Sequence, residues 1–241
     1  MKLIAPKSIA HTLGLDRSTL FGKFLTWVIC KFARINACNR IYQKNYTREK
    51  FNFVGGLLHS YGILFDIEES DLKKIPKEGP FVVIANHPLG FIDGLLLLHL
   101  IGQIRPDFKL FGNYMLHQIK QLQPLIFAVN PFKKRKQFQG GRFGISSAIA
   151  HLRNGGALGV FPAGEVATKK DPVKKFPMDE EWNHKMIRLL SREKVPIIPV
   201  YFHAMNSKLF YFFSKISPTL RTLRLTTEAL SQHKRRIQVR V

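Results

Sequence analysis

Residues 81–98 set the first constraint on the fold. Phe81-Val-Val-Ile-Ala85 is short, apolar and partly β-branched, the pattern of a strand buried on both faces of a parallel sheet. The turn residues of Lys77-Glu-Gly-Pro80 precede it, and Asn86-His-Pro-Leu-Gly90 follows as a second turn. Asp93 then opens the apolar run Leu95-Leu-Leu-Leu98, where a carboxylate suits the N-cap or first turn of a helix. The segment reads as strand, polar loop, helix.

The same alternation continues downstream. Strands are predicted around Phe108 to Phe111 and Leu125 to Val129, and a helix over Gly144 to Leu152 that stops at Asn154-Gly-Gly156. Ala157-Leu-Gly-Val-Phe161 reads as a strand running into the loop Pro162-Ala-Gly-Glu165. In Val195-Pro-Ile-Ile-Pro-Val-Tyr-Phe202, two prolines predict an irregular or edge-like strand, because each lacks a ladder donor. Ile237-Gln-Val-Arg-Val241 is the last candidate strand. This order predicts an α/β fold, a mostly parallel twisted sheet flanked by helices, with an N-terminal amphipathic helical element. Two parts are expected: a basic helical region over 1–60 and the α/β domain over 61–241.

Lys and Arg number 38 against 16 Asp and Glu, a formal net charge of +22 in 241 residues. Such a field attracts polyanions, whether anionic lipid, nucleic acid or an acidic carrier protein. Lys133, Lys134, Arg135, Lys136 and Arg142 form a local cluster without an acid, readable as an anion site or as a solvated loop. No zinc-finger, KH or RNP pattern accompanies the charge, so no specific nucleic acid is expected. Cys30 and Cys38 make neither a disulfide framework nor a metal set, which fits a reducing compartment and no metal.

No apolar run reaches the roughly 18–20 residues of a spanning helix. Leu20 to Arg34 is interrupted by Lys23 and Lys31 and reads as an interfacial helix. Phe21, Phe24, Leu25, Val28, Ile29 and Phe32 form its apolar side, with basic residues able to snorkel. Phe210 to Phe213, close to Lys208 and Lys215, offers a second such patch. Packing on the domain is open to both segments.

His87 and Asp93 carry the chemistry. A strand-to-helix turn can fold the imidazole back on the helix N-terminus, where the carboxylate fixes its tautomer. The other ring nitrogen is then placed to take a proton from an acceptor hydroxyl. A purely structural pair, with Asp93 capping the helix, is the competing reading. No G-x-S-x-G elbow is present to support an acyl-serine hydrolase.

Asn86-His-Pro-Leu-Gly-Phe-Ile-Asp93, Phe161-Pro-Ala-Gly164 and Val195-Pro-Ile-Ile-Pro-Val200, in this order, resemble the glycerolipid and lysophospholipid acyltransferase superfamily over roughly residues 60–205. The resemblance implies that His87 and Asp93 are catalytic. It also implies an acyl-carrier protein thioester or acyl-CoA as donor substrate, with no bound cofactor. Five residues separate His87 from Asp93 where four are usual, a spacing similar to the hemolysin-like branch. The family's FPEGTR motif aligns with Phe161, Pro162, Ala163, Gly164, Glu165 and Val166, so an acid and an arginine are missing. Loss of that arginine removes a bidentate phosphate contact. The motif therefore looks closer to the hemolysin-like enzymes that O-acylate a lyso-amino-acid lipid, such as a glycine or ornithine lipid. Lysophosphatidic acid acylation is the alternative.

In that reading Asn86, Phe161, Pro162, Gly164 and Glu165 line the substrate site. Lys133, Arg135 or Arg142 would meet the headgroup carboxylate. The partners expected are an anionic membrane surface, a lyso-lipid acceptor and an acyl-carrier protein. The expected location is peripheral, on the cytoplasmic face of a bacterial inner membrane.

Overall fold

A computed structural model describes residues 3–117, 119–129, 140–169 and 177–241. The chain begins with four helices: α1 (Pro6–Thr12), α2 (Leu20–Phe32), α3 (Ile35–Asn45) and α4 (Lys50–Tyr61). It continues through β1 (Leu64–Ile67), α5 (Glu69–Leu72), β2 (Phe81–Ala85), α6 (Phe91–Ile104), β3 (Lys109–Asn113) and α7 (Tyr114–His117). After a 3₁₀ turn come β4 (Ile126–Val129), α8 (Gly140–Arg153) and β5 (Ala157–Val160). The chain ends with α9 (His184–Ser191), β6 (Ile197–His203), α10 (Lys208–Ile216), α11 (Pro218–Ser231) and β7 (Arg236–Arg240).

Among the described residues, seven strands form one sheet in the order β1, β7, β6, β2, β5, β3, β4. Every neighbouring pair is parallel except β6 with β7. The α/β fold read from the sequence is the fold observed. Alternation along β2 explains its wholly apolar sequence: Phe81, Val83 and Ala85 face a core shared with α4 and α6, and Val82 faces one shared with α8 and α9.

The proline-bearing strand differs from expectation, since β6 lies inside the sheet between β2 and β7. Its two halves are paired differently. The Pro196 carbonyl accepts the Val82 N–H at 2.9 Å, so by alternation Ile198 and Val200 turn their backbone groups toward β2 and Pro199 turns away. Pairing with β7 begins only at Tyr201, beyond both prolines. The missing donor of Pro199 therefore falls where no neighbouring strand needs it.

The N-terminal amphipathic element forms as α2, with most of its apolar side turned outward. Its buried side is Gly22 and Thr26, while Phe21, Phe24, Trp27, Val28 and Phe32 point outward. A Cβ on Gly22 would stand 1.8 Å from the Asp16 carbonyl oxygen, so only glycine permits that seat. No helix of the described residues is long and apolar enough to cross a membrane.

Candidate active site

Strand β2 ends at Ala85 and delivers Asn86 and His87 to the carboxyl edge of the sheet, where ligand sites of open α/β folds lie. Asn86 locks the exit. Its side-chain Nδ2 donates to the Phe202 carbonyl at 3.0 Å, and its Oδ1 accepts the Phe202 N–H at 2.8 Å. The loop is tied to β6 before it reaches His87.

Gly90 makes the turn into α6 with φ +74°. A Cβ there would be strained, and it would also stand 3.0 Å from Val166 Cγ2 and 3.3 Å from Leu225 Cδ2. Asp93, in the first turn of α6, is fully buried beneath this loop. Its Oδ2 accepts the N–H groups of Leu89 at 2.7 Å and Gly90 at 2.9 Å.

The same oxygen lies 3.1 Å from His87 Nδ1. The contact is close but not aligned as a hydrogen bond, and among the described residues Asp93 Oδ1 has no donor. Burial pushes the Asp93 carboxyl above the ordinary range, opposed by the His87 imidazole and the two backbone N–H groups. The imidazole also stacks on Phe161, with ring centroids 4.1 Å apart and planes 23° from parallel. One side of the ring meets a carboxylate and one face meets an aromatic.

Three further residues fix the main chain around His87. Asp179 Oδ1 accepts the His87 N–H at 3.1 Å, the Ala167 N–H donates to the His87 carbonyl at 2.8 Å, and Asn206 Nδ2 donates to the Pro88 carbonyl at 2.9 Å. Burial raises the Asp179 carboxyl, partly offset by its bond from the His87 N–H. Asp179 and Asn206 were not singled out in the sequence. Asp179-Glu-Glu181, an acidic run in a strongly basic chain, was a usable signal for the first; Asn206 offered none.

The Phe161-to-Glu165 segment lies beside this loop. Gly164 takes φ +69° and its N–H closes a turn on the Phe161 carbonyl, while the carbonyl of buried Pro162 accepts the Asn183 N–H. Glu165 Oε2 pairs with Arg221 Nη2 of α11 at 2.9 Å. The motif itself ends in Val166 with no arginine; the fold brings one from 56 residues away. Lys133 and Arg135 fall outside the described residues, as does the side chain of Arg142.

A parallel sheet carrying a carboxylate-backed histidine at a strand end defines a class of group-transfer sites. The chain belongs to the acyltransferase family, whose model matches residues 66–203. It is 28% identical over 156 residues to a lyso-glycine lipid O-acyltransferase of Bacteroides thetaiotaomicron, covering 64% of this chain and 54% of that protein. It is 24% identical over 155 residues to a protein of the same description from Phocaeicola vulgatus, covering 64% and 53%. The chain thus spans about half the length of these curated relatives. Among solved structures it is similar to the 1-acyl-sn-glycerophosphate (LPA) acyltransferase PlsC from Thermotoga maritima, with TM-score 0.43, 17% identity and 74% of each chain covered.

Proposed function

We propose that the protein transfers a fatty acyl group from acyl-carrier protein or acyl-CoA to the hydroxyl of a lyso-amino-acid lipid at an anionic membrane surface. The observation that carries this reading is the 3.1 Å approach of His87 Nδ1 to a buried Asp93 carboxylate at the end of β2. Asp93 holds the proton on Nδ1, which leaves Nε2 to take the acceptor's hydroxyl proton. The oxygen then bonds to the thioester carbonyl carbon, the C–S bond breaks, and the imidazolium returns its proton to the departing thiolate. No acyl-protein intermediate is formed.

The amino-acid-lipid acceptor is supported by the description of the two curated relatives and by Val166 standing where an arginine is usual in the resembling family. The membrane setting is supported by an apolar surface shared by two helices. Phe24 and Trp27 of α2 and Phe212 and Ile216 of α10 are exposed, and Phe32 meets Phe213 edge-on at 6.0 Å, joining the two. Lys23, Lys31, Lys208 and Lys215 lie on the same two helices, an arrangement suited to insertion at an anionic interface. Helix α11 links that surface to the site, since Arg224 lies 5.9 Å from the Phe32 ring and Leu225 abuts Gly90. On this reading the protein sits peripherally on the cytoplasmic face of a bacterial inner membrane.

Lipid mass spectrometry on the purified chain tests the proposal, offering lyso-glycine lipid, lyso-ornithine lipid and lysophosphatidic acid with each acyl donor. The expected product is a two-chain amino-acid lipid formed by the native protein and not by His87→Ala. Selective formation of phosphatidic acid would reverse the acceptor assignment.

A further inference from the structure

Glu165 and Arg221, paired at 2.9 Å, join two segments of the chain beside the candidate site. Both partners are attached to segments that touch the His87 loop. On one side, Phe161 stacks on the imidazole, Val166 packs where Gly90 turns, and the Ala167 N–H holds the His87 carbonyl. On the other, Leu225 lies one helical turn beyond Arg221 and packs over Gly90.

The pair is also open to a ligand on one side. The Arg221 side chain is only 17% exposed, whereas that of Glu165 is 51% exposed. Among the described residues, a Cβ built on neighbouring Gly164 would meet nothing within 4 Å. A guanidinium has five N–H donors, and the bond from Nη2 to Glu165 uses one of them.

We infer that Arg221 and Glu165 together read an N-acyl amino-acid headgroup, the guanidinium binding its carboxylate and Glu165 accepting its amide N–H. The inference rests on the acyl-transfer reading above and assigns the headgroup carboxylate to Arg221 rather than to Lys133, Arg135 or Arg142. Charge decides between anions. Arg221 is already balanced by Glu165, so a phosphate dianion would meet an adjacent carboxylate and find no use for that acceptor. A carboxylate monoanion beside an N–H donor satisfies both residues, and charge-assisted bonds of this kind are the stronger ones. The acceptor's hydroxyl, carried on its acyl chain, is then left to His87.

Binding tests this without depending on turnover. The full chain is titrated with neutral phosphatidylcholine vesicles carrying N-hexadecanoylglycine, its methyl ester or lysophosphatidic acid, in about 0.5 M salt to screen the long-range field. The native protein is expected to prefer the acid over the ester by about 10- to 100-fold, the range of a charge-assisted pair. Arg221→Ala should remove that preference and Arg221→Lys restore part of it, while Arg188→Ala on α9, an equal loss of charge, leaves it intact. Glu165→Gln should narrow the margin of N-hexadecanoylglycine over lysophosphatidic acid. Equal binding of acid and ester by the native protein, or an acid preference that survives Arg221→Ala, would overturn the inference. A native preference for lysophosphatidic acid would overturn it as well. An intact acid preference in a protein that transfers no acyl group would count against the enzymatic reading alone.

Discussion

The His87 ring lies on Phe161 with centroids 4.1 Å apart, so the loop after β2 and the loop after β5 meet through one aromatic contact. Stacking of this kind contributes about 0.5–1.5 kcal/mol beyond simple burial. Phe161→Leu keeps an apolar neighbour and removes the flat surface that limits rotation of the imidazole. Its kcat should fall about 3- to 10-fold with the fold retained, checked by steady-state kinetics beside a thermal melt. An unchanged kcat would show that Asp93 alone orients the ring.

On the proposed mechanism Asp93 has two tasks that substitution can separate. In Asp93→Asn the amide oxygen can still accept the Leu89 and Gly90 N–H groups, but the charge that stabilises an imidazolium is gone. Activity should fall by about 10²- to 10⁴-fold. Because burial raises the Asp93 carboxyl, ionising it works against folding, and the neutral amide should melt close to or above the native protein at neutral pH. A collapsed melting temperature with activity scaling to the folded fraction would assign Asp93 to structure alone.

Asp179 acts on His87 through the backbone. Asp179→Ala removes the acceptor of the His87 N–H, and kcat should drop by about tenfold, the scale of one such bond. Asp179→Asn retains an acceptor oxygen and should rescue most of it. The pH dependence of stability has a definite sign. Burial holds the folded carboxyl above its ordinary value, so ionisation costs stability at neutral pH, and the cost vanishes once both states are protonated. Asp179→Asn should therefore melt at or above the native temperature at pH near 7, with the difference shrinking as pH falls toward about 4. A gap that widens on acidification would contradict the raised carboxyl.

The outward aromatic face of α2 predicts reversible attachment to vesicles. Replacing Phe24 and Trp27 by Ser removes exposed apolar area without touching the buried Gly22–Thr26 side, so the melting temperature should move little. Vesicle partitioning should weaken at least about tenfold, since each inserted aromatic contributes roughly 1.5–3 kcal/mol. Flotation that is indifferent to both changes would place the membrane contact elsewhere.

What was legible in the sequence was what is local. The strand, turn and helix from Phe81 to Leu98 follow from a β-branched run, a glycine and an acid within one short stretch, and they form where that pattern places them. Leu64–Ile67 is not legible, because a strand of four residues with half its side chains exposed carries no clear period. The prolines of β6 misdirected the placement of that strand, because its central position depends on where β7 begins to pair, which no local signal encodes. Arg221 and Asn206 join the site through tertiary packing, from helices and loops far along the chain, so only the folded molecule reveals them.

In the proposed reaction His87 takes the proton of an attacking hydroxyl. A single-turnover reaction measures it most directly, using the purified chain in excess over an isotope-labelled acyl thioester with lyso-glycine lipid on vesicles, and following ester, released thiol and protein-bound label together. Native protein should release thiol and form ester in equal amounts with no label retained on protein, and His87→Ala should slow both by at least about 10²-fold. Ester formation by His87→Ala at a near-native rate, or label accumulating on the protein before ester appears, would rule out direct transfer with His87 as the base.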